Sequence, residues 1–173
     1  MKMEKHRVAQ GKLAYVKGTQ RPDVPCILCC VAEGDPRVED LTVYRRGAVL
    51  VTLNLYPFNP GHVMVVPLRH VEDYRDLTPP EAMEMHHMQR LTLNVLEKVY
   101  QPGGFNVGYN LGRSSGASIA HLHLQVVPRY ATELGFYDIF SDSRALVESP
   151  RESMSKLKGA FAAAAPGFFD REG

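Results

Sequence analysis

The sequence predicts an α+β fold: a mostly antiparallel five-stranded sheet, one long helix and a C-terminal helical segment. Three observations carry the prediction. Short apolar or alternating runs, bounded by Gly, Pro and Asn, read as strands. One stretch of about twenty residues repeats its apolar positions at helical spacing. The order along the chain is strands, then that helix, then strands.

Residues 1–9 are polar and expected to be mobile. Residues 12–17 fit either a short helix or a strand. Arg21-Pro22-Asp23-Val24-Pro25 breaks regular structure and delivers Cys26-Ile27-Leu28-Cys29, and Glu33-Gly34-Asp35-Pro36 signals a turn. Residues 40–44 and 48–53 read as strands, with Arg45-Arg46-Gly47 as the hairpin turn between them. Tyr56-Pro57-Phe58-Asn59-Pro60-Gly61 is a loop dense in breakers, and residues 62–67 form a third strand. Thr78 before Pro79-Pro80-Glu81 is a helix start: a hydroxyl cap, proline in the first turn and Glu81 three residues on. From there Met85, Met88, Leu91, Val95 and Val99 mark one helical face, read as core packing. Gln101-Pro102-Gly103-Gly104 ends the helix. Residues 105–110 are the fourth strand. The fifth is His121-Leu122-His123-Leu124-Gln125-Val126-Val127, closed by Pro128. Residues 143–164 contain a helix, and 166–173 form a tail.

With 173 residues, 45% hydrophobic and 23% charged, the composition is that of a soluble globular chain with a real core. A net charge of +1 gives no basic surplus, so no nucleic-acid partner is expected. No run of about 18 apolar residues predicts a membrane span. The first residues lack the apolar stretch of a signal peptide, and a cytoplasmic setting is expected. Cys26, Cys29 and Cys30 are an odd set that argues against a disulfide framework. Metal binding, redox chemistry or no chemistry remain open for them.

The fifth strand carries the chemistry. Its alternation sends Leu122, Leu124 and Val126 to a core and lines His121, His123 and Gln125 along the opposite face. Just before it, Gly112-Arg113-Ser114-Ser115-Gly116-Ala117-Ser118 is small, hydroxylated and singly positive. Backbone N–H groups of such a loop cradle phosphate. The combination fits an imidazole attacking phosphorus while loop amides hold the oxygens. A half-buried strand with hydrogen-bonded structural histidines fits the same spacing.

Residues Gly116 to Arg129 resemble the signature of the histidine-triad superfamily, His-φ-His-φ-His-φ-φ with φ apolar. The chain departs at the third position, where Gln125 replaces His. His-φ-His-φ-Gln resembles the transferase branch, which holds galactose-1-phosphate uridylyltransferase and the diadenosine tetraphosphate phosphorylases. Leu53-Asn54-Leu55-Tyr56-Pro57-Phe58-Asn59-Pro60-Gly61-His62-Val63-Met64-Val65-Val66-Pro67-Leu68-Arg69-His70 and Phe105-Asn106-Val107-Gly108-Tyr109-Asn110-Leu111-Gly112 are two further matching blocks. The resemblance spans residues 20–130. One domain over 1–173 is expected, with a C-terminal extension at 131–173.

The resemblance implies a homodimer joined edge to edge through its sheets. It implies a structural zinc ion, Zn2+, held by Cys26, Cys29, His70 and His121, with Cys30 left to pack as a small apolar residue. It implies His123 as nucleophile toward the α-phosphorus of a nucleotide substrate, through a nucleotidyl-histidine intermediate. Gln125 would then donate to a nonbridging oxygen, with Arg113, Gly116, Ser118 and Asn110 near the phosphates and Asn54 near the nucleoside. Asn59 would support its loop. The transferase-type Gln125 and the modest chain length favour a dinucleoside polyphosphate phosphorylase, ahead of a hydrolase or a non-catalytic nucleotide binder.

Overall fold

The computed structural model describes residues 21–131 and 148–171. The expectations for residues 1–9 and 12–17, and much of the 131–173 extension, fall outside them. The described elements are α1 (Ile27–Glu33), β1 (Thr42–Arg46), β2 (Val49–Leu53), β3 (Val63–Pro67), α2 (Pro79–Tyr100), β4 (Gly104–Tyr109), β5 (Leu124–Arg129) and α3 (Pro150–Phe169). The five strands form one sheet in the order β1-β2-β3-β5-β4, antiparallel at every pairing. The α+β architecture is the one the sequence predicts. Among the described residues no helix is long and apolar enough to cross a membrane.

Register sorts the side chains by face. Thr52 pairs with Met64, Met64 with Gln125, and Gln125 with Gly108, so one row crosses four strands. Val49, Val51, Leu53, Val63, Val65, Leu124 and Val126 point to the other face. There they join Met85, Met88, Leu91, Val95 and Leu96 of α2 and Leu157, Phe161 and Phe168 of α3 in the main core. Leu50, Met64 and Val66 meet Leu28, Cys30 and Val31 of α1 in a second, smaller cluster. Cys30 is 5% exposed and packs there as a small apolar residue.

Helix α2 starts as its sequence dictates. Thr78 accepts from the Glu81 N–H while the Glu81 carboxylate accepts from Thr78, a reciprocal capping box with proline in the first turn. Arg69 forks onto the same carboxylate with two bonds of 2.7 Å and also donates to the Asp76 carbonyl at 2.9 Å. Its guanidinium holds the Glu81 carboxyl down to about 2. The fork pins the backbone next to His70.

Four local readings differ. Helix α1 covers the CxxC stretch that the sequence left unassigned. Cys26 caps it with a sulfur accepting the Cys29 N–H at 3.5 Å, and Gly34 closes it in the left-handed region at φ 71°. The hairpin turn falls one residue later, on Gly47 and Ala48. Pro128 does not end β5, which runs to Arg129. The β3 ladder stops at Val126, so a missing N–H two residues later costs no pairing on that side. Finally, α3 runs through Pro166 to Phe169 in place of a tail. Ala165 and Phe168 are buried against the main core, and that burial offsets the proline's cost of about 3 kcal/mol.

At the corner before β3, Gly61 takes φ +77°, and a Cβ there would lie 2.8 Å from the Tyr100 ring. Only glycine fits both the backbone and the space.

Phe161 is fully buried and stacks on Tyr44 of β1 at 5.3 Å between centroids. Phe161→Ala is expected to lower unfolding free energy by about 3–5 kcal/mol in urea titrations. A loss below about 1 kcal/mol would mean that α3 docks loosely instead of completing the core.

Candidate active site

His123 and Gln125 stand on the α1 face of the sheet, as the alternation predicts. Their surroundings fix every proton in the row. The Phe58 N–H donates to His62 Nδ1 at 3.1 Å, so that nitrogen carries a lone pair. His62 Nε2–H therefore donates to Gln125 Oε1 at 2.6 Å. This fixes the amide, whose Nε2 then faces His123 Nε2 at 3.2 Å. His123 Nδ1–H donates to the His121 carbonyl at 2.8 Å, leaving Nε2 as its unprotonated, nucleophilic nitrogen. Burial holds the His123 imidazole below the ordinary histidine range, which favours this neutral form.

The polar face of the strand is not a surface. His121 is 0% and His123 6% exposed. Residues 121–123, expected as the start of the fifth strand, instead precede β5, whose ladder begins at Leu124. There the Leu122 N–H donates to the Val71 carbonyl at 2.6 Å.

His121 takes no part in this row of side-chain hydrogen bonds, and its ring faces the cysteines at the start of α1. Its Nε2–H donates to the Pro67 carbonyl at 2.9 Å, so Nδ1 presents a lone pair to Cys26 Sγ at 3.4 Å and Cys29 Sγ at 3.5 Å. His70 Nδ1 lies 3.3 Å from Cys29 Sγ. All four ligand atoms fall within 4.8 Å of one another, the one such group among the described residues. Tetrahedral bonds of about 2.3 Å to sulfur and 2.0–2.1 Å to nitrogen give edges of about 3.3–3.8 Å. These three sulfur–nitrogen separations match those edges, and a donor set of two sulfurs and two imidazole nitrogens suits a tetrahedral metal ion. Burial lowers His121 to about 4, which keeps its nitrogen available as a ligand. Burial and the neighbouring Cys26 push the Cys29 thiol up to about 12; a bound cation would reverse that, because the thiolate is the ligating form.

A cleft of about 460 Å³ opens over this face, with His123 and Gln125 in its wall. Asn54, Asn110, Gly116 and Ser118 line it, so the structure brings these four sequence candidates to one site. Asn54 is also engaged locally: its Oδ1 accepts the Tyr56 N–H at 2.9 Å, an Asx turn. Arg113 opens the 3-10 turn Arg113–Ser115, and its side chain lies outside the described structure. Arg21 donates to the Ser118 carbonyl at 3.1 Å and ties the loop to the start of the described chain. Asn59, read as a loop support, donates to the Pro128 carbonyl at 2.5 Å and joins its loop to β5.

The HIT domain family matches residues 36–132, more than half of the chain. The chain belongs to the HIT family. Among curated HIT relatives, the AP-4-A phosphorylase of Mycobacterium tuberculosis is 43% identical over 120 residues, 69% of this chain and 62% of that protein. The chain thus spans somewhat under two thirds of that relative's length. The asymmetrical bis(5'-nucleosyl)-tetraphosphatase of Schizosaccharomyces pombe is 33% identical over 96 residues, 56% of this chain and 53% of that protein. A zinc-bound histidine triad family protein from Mycobacterium smegmatis superposes with a TM-score of 0.68 at 26% identity, covering 83% of this chain and 97% of that one.

Within this HIT fold, His62 is the residue that sequence reasoning missed. The sequence marks it only as the start of a strand, whereas it is fully buried and donates to Gln125 Oε1. The signal was present: His62 shares the period of Met64, and Met64 pairs with Gln125. It becomes visible only once β3 and β5 are known to be neighbours.

The cluster generates a direct test. Cobalt(II) titration is expected to saturate near one ion per chain with the intense visible absorption of a tetrahedral thiolate site. Cys29→Ser is expected to weaken and shift that absorption. A pale, octahedral spectrum would rule out the four-ligand centre.

Proposed function

We propose that the chain is a nucleotidyltransferase that phosphorolyses dinucleoside polyphosphates through a nucleotidyl-His123 intermediate. One observation carries the reading: His123 Nε2 is held unprotonated at the cleft, beside an amide that cannot titrate. With diadenosine tetraphosphate, His123 Nε2 attacks the α-phosphorus, the bond to the bridging oxygen breaks, and ATP leaves as an anion. The adenylyl-imidazolium keeps its Nδ1 proton, and the His121 carbonyl stabilises it. Phosphate oxygen then attacks the same phosphorus, the P–N bond breaks, and ADP leaves. Gln125 Nε2–H donates to a nonbridging oxygen in both steps, with loop amides at Gly116 and Ser118, Asn110 and Arg113 meeting the remaining charge. Asn54 lies toward the nucleoside.

Gln125 and the 43% identity to an AP-4-A phosphorylase support transfer to phosphate over hydrolysis. Identity to the tetraphosphatase is lower, at 33% over a shorter stretch.

We also propose that the Cys26, Cys29, His70 and His121 cluster binds zinc structurally. The donor set and the zinc-bound relative support this, and elemental analysis of chelator-free protein reads it out. Thiolate ligands fit a reducing, cytoplasmic setting. α3 shares the main core with the sheet, which supports one domain for the chain. The outer edge of β4 is unpaired within the described chain, and Val107 on it is 40% exposed. These features support a homodimer joined there, and light scattering at one chain per particle would exclude it.

Brief mixing with diadenosine tetraphosphate is expected to add one AMP to the intact mass. The adduct should be stable to base, labile to acid and absent in His123→Ala. Added phosphate should yield ADP and ATP. Products that form equally well without phosphate would move the reading to the hydrolase. Gln125→Ala is expected to slow turnover about 10²–10³-fold, as for loss of one oxyanion donor. His62→Ala should lower kcat more than it raises KM, because it acts through Gln125.

A further inference from the structure

The cleft has a polar feature besides His123 and Gln125. Gln125, Met64 and Thr52 stand in one row on β5, β3 and β2. Two strand steps of about 4.8 Å separate Gln125 from Thr52. That span carries a nucleotide from an α-phosphorus at His123 to its base. Leu41 lies beside β2, its carbonyl accepting the Leu53 N–H at 3.1 Å, and Ile27 and Val31 of α1 with Val38 add apolar lining. Glu39 stands among them, on the segment between α1 and β1. Arg151 of α3 reaches across the sequence to Glu39 Oε1 at 3.2 Å. A carboxylate accepts about four hydrogen bonds, so the bond from Arg151 leaves acceptor capacity on a residue that lines the cleft.

We infer that Glu39 reads the base edge and selects guanine nucleotides. This rests on the nucleotide reading above. The guanine edge offers N1–H and N2–H donors side by side, matching both carboxylate oxygens. The adenine edge offers one N6–H donor next to the N1 lone pair, and that lone pair faces the second oxygen unfavourably. Arg151 holds the carboxylate in place. The C-terminal helix therefore takes part in base recognition, although it packs mainly on the opposite face.

The test is calorimetric titration of GMP and AMP into the metal-loaded full chain, for wild type, Glu39→Gln and Arg151→Ala. Wild type is expected to bind GMP about tenfold or more tighter than AMP. Glu39→Gln replaces one acceptor with a donor, the complement of the adenine edge, and is expected to reverse the preference. Arg151→Ala should narrow the preference without reversing it. Turnover of Gp4G and Ap4A is measured in parallel. Equal binding of the two nucleotides, within about threefold, overturns the inference. So does a Glu39→Gln variant with an unchanged ratio. If Ap4A is phosphorolysed while the bases bind equally, only this inference falls. If neither nucleotide binds or turns over, the nucleotidyl-transfer reading falls with it.

Discussion

The hydrogen bond from the Phe58 amide to His62 Nδ1 is the constraint from which the site follows. A backbone N–H can only donate, so it admits one tautomer of His62. From that point each donor finds one acceptor: His62 to Gln125, Gln125 to His123, His123 to the His121 carbonyl. None of the three imidazole or amide groups has a choice of orientation that leaves its neighbours satisfied. In a buried setting an unmatched polar group costs about 1–3 kcal/mol, so the order is strongly enforced. The unprotonated lone pair of His123 is the last link of a chain that begins with a main-chain amide in a turn.

The sheet separates two tasks. One face supplies cohesion, through Val and Leu side chains against α2 and α3. The other carries polar residues under α1 and the loops. Antiparallel register makes the separation sharp, because a shift of one residue would exchange the faces. His121 then joins the polar face to the metal-type cluster. Its imidazole faces the two cysteines, while its carbonyl receives the His123 proton. One residue thus faces the cluster with its ring and His123 with its carbonyl.

Much of this was legible in the sequence. The capping box of α2 was written in Thr78, Pro79 and Glu81, and the five strands in runs bounded by Gly and Pro. The four cluster residues and the cleft residues Asn54, Asn110, Gly116 and Ser118 were singled out, and the structure brings each set together. What was missed depends on partners distant in the chain. The orienting role of His62 exists only because β3 lies beside β5. Helix α3 passes Pro166 because Phe168 finds a core pocket, which overrides a local breaker. Helix α1 is seven residues, too short for periodicity to reveal, and a thiol caps it where hydroxyl or carboxylate caps are usual.

The contact between Gly61 and Tyr100 has a further meaning. Tyr100 is the last residue of the helix that packs on the face away from the cleft. Gly61 closes the loop that carries the Phe58 amide. That loop folds back on itself through the Asn59 carbonyl and the His62 N–H, at 3.1 Å. The helix end is thus a spacer for the loop, and the missing side chain at position 61 sets how close the two approach. A contact with no polar atom in it joins the helix on one side of the sheet to the loop that carries the Phe58 amide on the other.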